Sequence, residues 1–269
     1  MDYEIIDFHT HPFTDIPSNI CSHKDETEVT FDRSIAYLKG LGISKICGSV
    51  ICRNTDEYAP YKNDWEMIAD SNRRALELKE LYGDFYIPGF HVHPGYIKES
   101  CEEIEKMSKL GVNLIGELVP YIHGWSDCSG DEFDELIHVA THYNMVINIH
   151  FSDNILDRDQ MDKMVQKHPD TVFVAAHPCE YDDYVRHLNS MKMSENYYLD
   201  LSGLGLHRHR MLRRGIDECG VERFLFGSDY PTCNPAMFIG GVLLDSLISD
   251  EEKACIFSGN AKRLLKIGE

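Results

Sequence analysis

Eight short apolar runs, rich in Val, Ile and Phe and closing on polar residues, recur along the chain: EIIDFH, KICGSVI, FYIPGFH, NLIGE, MVINIH, VFVAAH, YYLDLS and FLFGSD. Their ends fall at His9, Ile51, His91, Glu117, His150, His177, Ser202 and Asp229, each interval long enough for one strand and one helix. Between the runs, Asp64 to Leu81, Lys98 to Leu110, Asp131 to Tyr143 and Asp159 to Lys167 carry helical periodicity. Parallel strands need crossover connections, so eight such units predict an α/β fold, a single-domain (β/α)8 TIM barrel over residues 1–269. An open doubly wound sheet is the alternative, but no G-x-G-x-x-G follows the first run.

Charge and composition narrow what such a barrel does. Hydrophobic residues make up 43% and charged residues 26%, the proportions of an ordinary globular protein. With 26 Lys and Arg against 45 Asp and Glu, the net charge of -19 opposes binding to nucleic acid or to an anionic membrane surface. The expected partner is a small-molecule substrate, and a homo-oligomer is compatible with the sequence. Nine cysteines without a C-x-x-C pair fit a reducing compartment. No apolar run approaches the roughly 18 residues that span a bilayer, so a soluble, cytoplasmic protein is expected. The long polar stretch from Pro12 to Thr30 suits a loop or lid over the barrel mouth, and Pro120 to Gly130 is a second candidate.

Residues at the C-terminal ends of barrel strands converge on one mouth. Here the first, fifth and sixth runs end in His, the fourth in Glu and the eighth in Asp, all of them metal-ligand types. Residues i and i+2 of a strand share a face, so His9 and His11 can offer two imidazoles to one cation. Imidazole with carboxylate suits Zn²⁺, and also Mn²⁺ or Fe²⁺. A single His after a strand is ordinarily a surface or capping residue. Five metal-ligand types at matching strand ends are far harder to explain that way.

The motifs DFHTHP at 7–12, NIH at 148–150, AAHP at 175–178, FGSDYP at 226–231 and GNAKRLL at 259–265 resemble the amidohydrolase superfamily. Within it they are similar to the metal-dependent hydrolase branch that includes relatives of aminocarboxymuconate-semialdehyde decarboxylase. The resemblance implies that His9, His11, His150 and Asp229 bind the principal metal. It also implies that His177 either binds a second ion or polarises the substrate and handles protons. Glu117 stands where binuclear relatives place a bridging carboxylate, which leaves one ion and two ions both open.

Hydrolysis of a small amide, ester or lactone by metal-activated water is the leading expectation, since a bound cation brings the pKa of water to about 7. Asp229 then exchanges protons and His177 stabilises the developing oxyanion. Non-oxidative decarboxylation of a small unsaturated or aromatic acid is the alternative on the same ligands. A nuclease is opposed by the net charge, and a metal-storage barrel has no need of a lid.

Several residues invite a role without the same support. His91 and His93 repeat the His-x-His spacing in GFHVHPG, and structural or pocket-lining roles are expected for them. His138 and His142 stand four apart in a helix, but HVATH lacks the Glu of a zincin, so a solvent-facing role is expected. Cys179 and Cys233 read as inert thiols. The cluster His207 to Arg210, and Arg53, are candidates for binding a substrate anion or for plain solvation, while Tyr121, His123 and Trp125 suit either an aromatic wall or core packing.

Overall fold

A computed structural model of the chain describes residues 3–12, 31–54, 59–126, 128, 130–150, 158–204 and 208–268. The expected lid from Pro12 to Thr30 and His207 lie outside them, apart from Pro12 itself. Eight parallel strands pair strictly in chain order: β1 (Ile5–Asp7), β2 (Ile43–Ser49), β3 (Tyr86–Phe90), β4 (Leu114–Leu118), β5 (Val146–His150), β6 (Val172–Ala176), β7 (Tyr197–Asp200) and β8 (Phe224–Leu225). Each coincides with one of the eight apolar runs. The crossovers carry α1 (Phe31–Gly40), α2 (Asp64–Tyr82), α3 (Ile97–Lys109), α4 (Asp131–His142), α5 (Arg158–Lys167), α6 (Tyr181–Met193) and α7 (Met211–Cys219), and α8 (Pro235–Leu243), α9 (Asp250–Ala254) and α10 (Asn260–Leu265) follow β8. The four helices read from periodicity agree to within one residue at each end. This is a (β/α)8 barrel.

The sheet closes beyond the named strands, where the chain after the short β8 runs beside the chain after β1. Phe8 donates its N–H to the Phe226 carbonyl (2.9 Å), Asp229 to that of His9 (2.8 Å) and His11 to that of Tyr230 (2.8 Å). Asp7, fully buried, reinforces the seam by accepting from the N–H (2.9 Å) and hydroxyl (2.5 Å) of Ser228. The seam brings His9, His11 and Asp229 together although they lie over two hundred residues apart.

Two layers of apolar packing hold the barrel. Ile6, Phe8, Cys47, Leu114, Val146, Val174, Tyr198 and Leu225 form one cluster with Ala261, Leu264 and Leu265 of α10, so the C-terminal helix stoppers the barrel with side chains. Strand residues such as Ile5, Ile46, Phe90, Ile115, Ile147, Phe173 and Leu199 belong instead to the larger cluster shared with the surrounding helices. The two-residue period explains the division. Above Val146 come Asn148 and His150, and above Tyr198 come Asp200 and Ser202, so each strand passes from packing to chemistry along one face. Among the described residues no helix is long and apolar enough to cross a membrane.

Gly116 is the tightest point of β4. Its φ is +98°, and a Cβ there would lie 2.0 Å from the Asn148 carbonyl oxygen. Only glycine lets β4 approach β5 closely enough to aim Glu117 into the mouth. Gly116→Ala is expected to cost more than about 3 kcal/mol, seen as a large drop in the thermal midpoint, and an unchanged midpoint would refute this account.

Candidate metal centre

Four of the strand-end residues meet around a single point. The Nε2 atoms of His9 and His11 lie 3.2 Å apart. Glu117 Oε2 is 3.4 Å from the first and 3.1 Å from the second, and Asp229 Oδ1 is 3.8 and 3.5 Å from them. All four residues are buried.

The ring protons show that this is not a hydrogen-bonded cluster. His9 Nδ1 faces Asp200 Oδ2 at 2.9 Å and His11 Nδ1 faces the Ser49 carbonyl at 3.1 Å. Carboxylates and carbonyls only accept, so both rings carry their proton on Nδ1 and turn bare Nε2 lone pairs toward one another. Two lone pairs and two carboxylate oxygens at 3.1 to 3.8 Å repel unless positive charge lies among them. Donors 2.0–2.2 Å from a tetrahedral cation stand roughly 3.3–3.6 Å apart, so His9, His11 and Glu117 have the size of a metal site, with Asp229 Oδ1 at 3.5 and 3.8 Å from the two imidazoles. The donor set fits a divalent cation.

The electrostatics agree. Burial would lower the His9 pKa, yet the Asp200 and Glu117 carboxylates hold it well above the usual histidine range. Burial would raise Glu117, but the imidazoles of His9, His11, His150 and His177 around it hold it well below the usual carboxylate range. Both shifts express one demand, for positive charge at this point.

Glu117 also joins a second group of donors. Its other oxygen, Oε1, lies 2.9 Å from His150 Nδ1 and 3.3 Å from His177 Nε2. The resemblance had implied that His150 sits with His9, His11 and Asp229 around the principal metal. In the structure Glu117 lies between the His9 and His11 pair and His150, with one carboxylate oxygen toward each, where Gly116 lets β4 project it. His177 and Asp229 both adopt left-handed backbone, at φ +70° and +58°, a strained conformation for non-glycine residues that turns the chain sharply after β6 and β8.

Asp200 and Ser202 are the residues that reading for metal-ligand types missed. Asp200 is fully buried and accepts from His9 Nδ1, from Asn148 Nδ2 (3.0 Å), from the Ser202 N–H (3.0 Å) and from the Ser202 hydroxyl. With its proton committed to Asp200, the Ser202 oxygen accepts from His177 Nδ1 (2.9 Å), so His177 also turns a bare Nε2 toward Glu117. The signal was present in YYLDLS, where Asp200 and Ser202 stand two apart on the inward face of β7.

The remaining candidates separate. His93 accepts from the Gly95 N–H (2.8 Å) and its Nε2 donates to the His123 carbonyl (2.8 Å), so it braces two loops. His91 Nε2 donates to the Val50 carbonyl (3.0 Å), and its ring meets that of fully buried His123 edge-on at 4.4 Å. Trp125 packs on Phe133. Residues 120–126 of the second lid candidate fold back on themselves through bonds to the Val119 and Pro120 carbonyls, and Tyr121 lies against a mouth residue, His150, at 5.3 Å. Burial first, then the Glu117 and Asp229 carboxylates, push the Tyr121 phenol up, with Arg53 acting in the opposite sense. Cys233 is pushed up to about 11 by burial and Asp229, so it is a protonated thiol. Cys179 is half-buried and contacts the His177 carbonyl at 3.6 Å. Arg208 pairs with Glu180 (3.3 Å) and lies over the Tyr181 ring.

The sequence profile of the family described as Amidohydrolase matches residues 6–267. No curated protein sequence matches the chain. Among solved structures, 2,6-dihydroxybenzoate decarboxylase from Rhizobium superposes with a TM-score of 0.75 at 14% identity, covering 99% of this chain and 100% of the other. A 5-carboxyvanillate decarboxylase from Novosphingobium aromaticivorans, complexed with manganese and a nitrobenzoic acid, gives 0.72 at 14% identity over 99% and 97%. A 4-oxalomesaconate hydratase from Rhodopseudomonas palustris gives 0.72 at 16% identity over 97% and 95%.

Two predictions follow from the supports of the site. Asp200→Asn keeps the shape but removes the charge that fixes His9, so divalent-metal affinity is expected to fall about 10- to 100-fold in a metal titration; unchanged affinity would remove Asp200 from this role. His91 is lowered by burial to about 4 from an ordinary 6.5, and His123 is lowered further. Between those values the unfolded chain binds the His91 proton and the folded one does not, so stability is lost as pH falls from about 6.5 to 4, by roughly 3 kcal/mol for His91. Thermal midpoints of His91→Gln should therefore decline less steeply across that window than those of the parent, and parallel curves would contradict the assignment.

Proposed function

We infer that this chain, which belongs to the amidohydrolase family, is a metal-dependent decarboxylase acting on a small aromatic or unsaturated acid. The observation that carries the reading is the group of His9, His11 and Glu117, with Asp229 beside both imidazoles, at the mouth of a barrel several of whose solved likenesses are named as decarboxylases of hydroxylated benzoic acids. Manganese is named in one of those relatives, and the ligands suit Mn²⁺ as well as Zn²⁺. Hydrolysis of an amide, ester or lactone, the first expectation from sequence, takes second place.

Arg53 and Tyr121 support an acidic substrate. In a chain of net charge -19, a carboxylate approaching the mouth needs a local cation, and Arg53, exposed after β2 and with its charge felt at Tyr121, is the candidate. The bound cation supplies positive charge that draws an acid or phenolic oxygen and stabilises charge developing on the substrate. Tyr121 orients the ring of an aromatic acid against His150. His177, fixed by Ser202, and His150 position the group to be lost. Asp229 would relay the proton: it takes the acidic proton of the bound substrate, the bond from the ring or chain carbon to the carboxyl carbon breaks with its electron pair left on the substrate carbon, CO2 departs, and Asp229 returns the proton to that carbon. No water is consumed.

One observation favours hydrolysis. Glu117 shares its second oxygen with His150 and His177, as a carboxylate bridging two cations would. The readings differ in metal count and in product. With Mn²⁺ loaded and hydroxybenzoates supplied, decarboxylation predicts one ion at the barrel mouth, counted as the equivalents lost on His9→Ala with His11→Ala, together with CO2 release and, in D2O, a deuterium on the vacated carbon. Two ions at the mouth with cleavage of amides or lactones and no CO2 would overturn it. Asp229→Asn at saturating metal should lower turnover at least a thousandfold while the barrel keeps its thermal midpoint within a few degrees.

A further inference from the structure

His138, one of the helical pair expected to face solvent, belongs to a different cluster from the one its spacing suggested. Its companion in sequence, His142, packs instead on the ring of Tyr143. One turn earlier on α4 stands Asp134, whose Oδ2 lies 3.5 Å from His138 Nε2. Residues i and i+4 share a helix face. From the end of α5, His168 brings its Nε2 to 2.6 Å from Asp134 Oδ1, and its ring meets that of His138 edge-on at 4.8 Å.

We propose that Asp134, His138 and His168 form a second divalent-metal site of the Zn²⁺ or Ni²⁺ class, clamping α4 to the end of α5 away from the barrel mouth. The three donor atoms lie within 4.8 Å of one another, and among the described residues this is the one such group outside the mouth. Two imidazoles and a carboxylate on a partly exposed face provide three protein ligands, leaving the remaining coordination to water. The least mobile ligand is already in place. His168 is buried, and its carbonyl is held by Asn196, whose side-chain amide also binds the Val165 and Thr171 carbonyls. The other two stand close: Asp134 Oδ1 is at hydrogen-bond distance from His168 Nε2 and would open to bind an ion, and Asp134 Oδ2 to His138 Nε2 already has the spacing of two ligands on one ion.

Lys167 makes the proposal sharper, because its Nζ lies 2.8 Å from Asp134 Oδ1 and competes with a cation for that oxygen. Removing the lysine should strengthen metal binding, whereas an ion-pair network with no metal role predicts no change.

The test is a Zn²⁺ titration, repeated with Ni²⁺, of the full chain and of the double substitution His9→Ala with His11→Ala, which disables the mouth. One equivalent is expected to persist in that variant. His138 is largely exposed, so His138→Ala will fold; it should weaken the persisting equivalent at least tenfold and leave turnover by an otherwise unaltered chain unchanged. Lys167→Ala should tighten it severalfold. Equal binding by the parent and His138→Ala, or no equivalent beyond those held at the mouth, would overturn the proposal.

Discussion

Asp200 is a carboxylate with no access to water at the inner end of the barrel mouth, and the metal centre depends on it. A buried charge of this kind is tolerated only when donors surround it. His9, Asn148 and Ser202 all point donors at it. Its consequence extends beyond its own satisfaction. By claiming the Nδ1 proton of His9 directly, and setting that of His177 through the Ser202 hydroxyl, it leaves the outward nitrogens of both rings as bare lone pairs. The Ser49 carbonyl does the same for His11. The mouth thus becomes a ring of electron-pair donors, and a ring of donors in a dry site binds a cation.

The barrel converts that local chemistry into a site by closure. β8 is only two residues long, so the last seam is made by the segments just beyond β1 and β8, the same segments that carry His9, His11 and Asp229. Closing the barrel and assembling the ligands are one event. The left-handed backbone at His177 and Asp229 lies at the ends of the strands that deliver them, where the chain must turn abruptly to keep a side chain over the mouth. Strain concentrated at such positions is tolerated because the sheet around them is continuous.

The comparison between the two His-x-His pairs shows how little a motif says without its surroundings. His9 and His11 find Asp200 and a carbonyl behind their rings and carboxylates in front. His91 and His93 have the same spacing at the end of another strand, but their Nε2 atoms are directed at the Val50 and His123 carbonyls. The first pair therefore offers lone pairs to the mouth, while the second braces loops. His138 and His142 repeat the lesson on a helix, where the true neighbour of His138 comes from another element.

The barrel was legible in the sequence because it rests on local periodicities: apolar runs at strand length, helical spacing between them, and the recurrence of both eight times. Strand-end identity likewise exposed His9, His11, Glu117, His150, His177 and Asp229 as a set, since one chain direction delivers all strand ends to one face. What tertiary structure decided was grouping and tautomer. Glu117 reaches both the His9 and His11 pair and the His150 and His177 pair, because a glycine with positive φ lets β4 approach β5 and project the carboxylate inward. Asp200 and Ser202 act through hydrogen bonds to residues as many as 193 positions away. Periodicity carries the direction of a side chain but not the identity of what it meets, and proton placement depends on that partner.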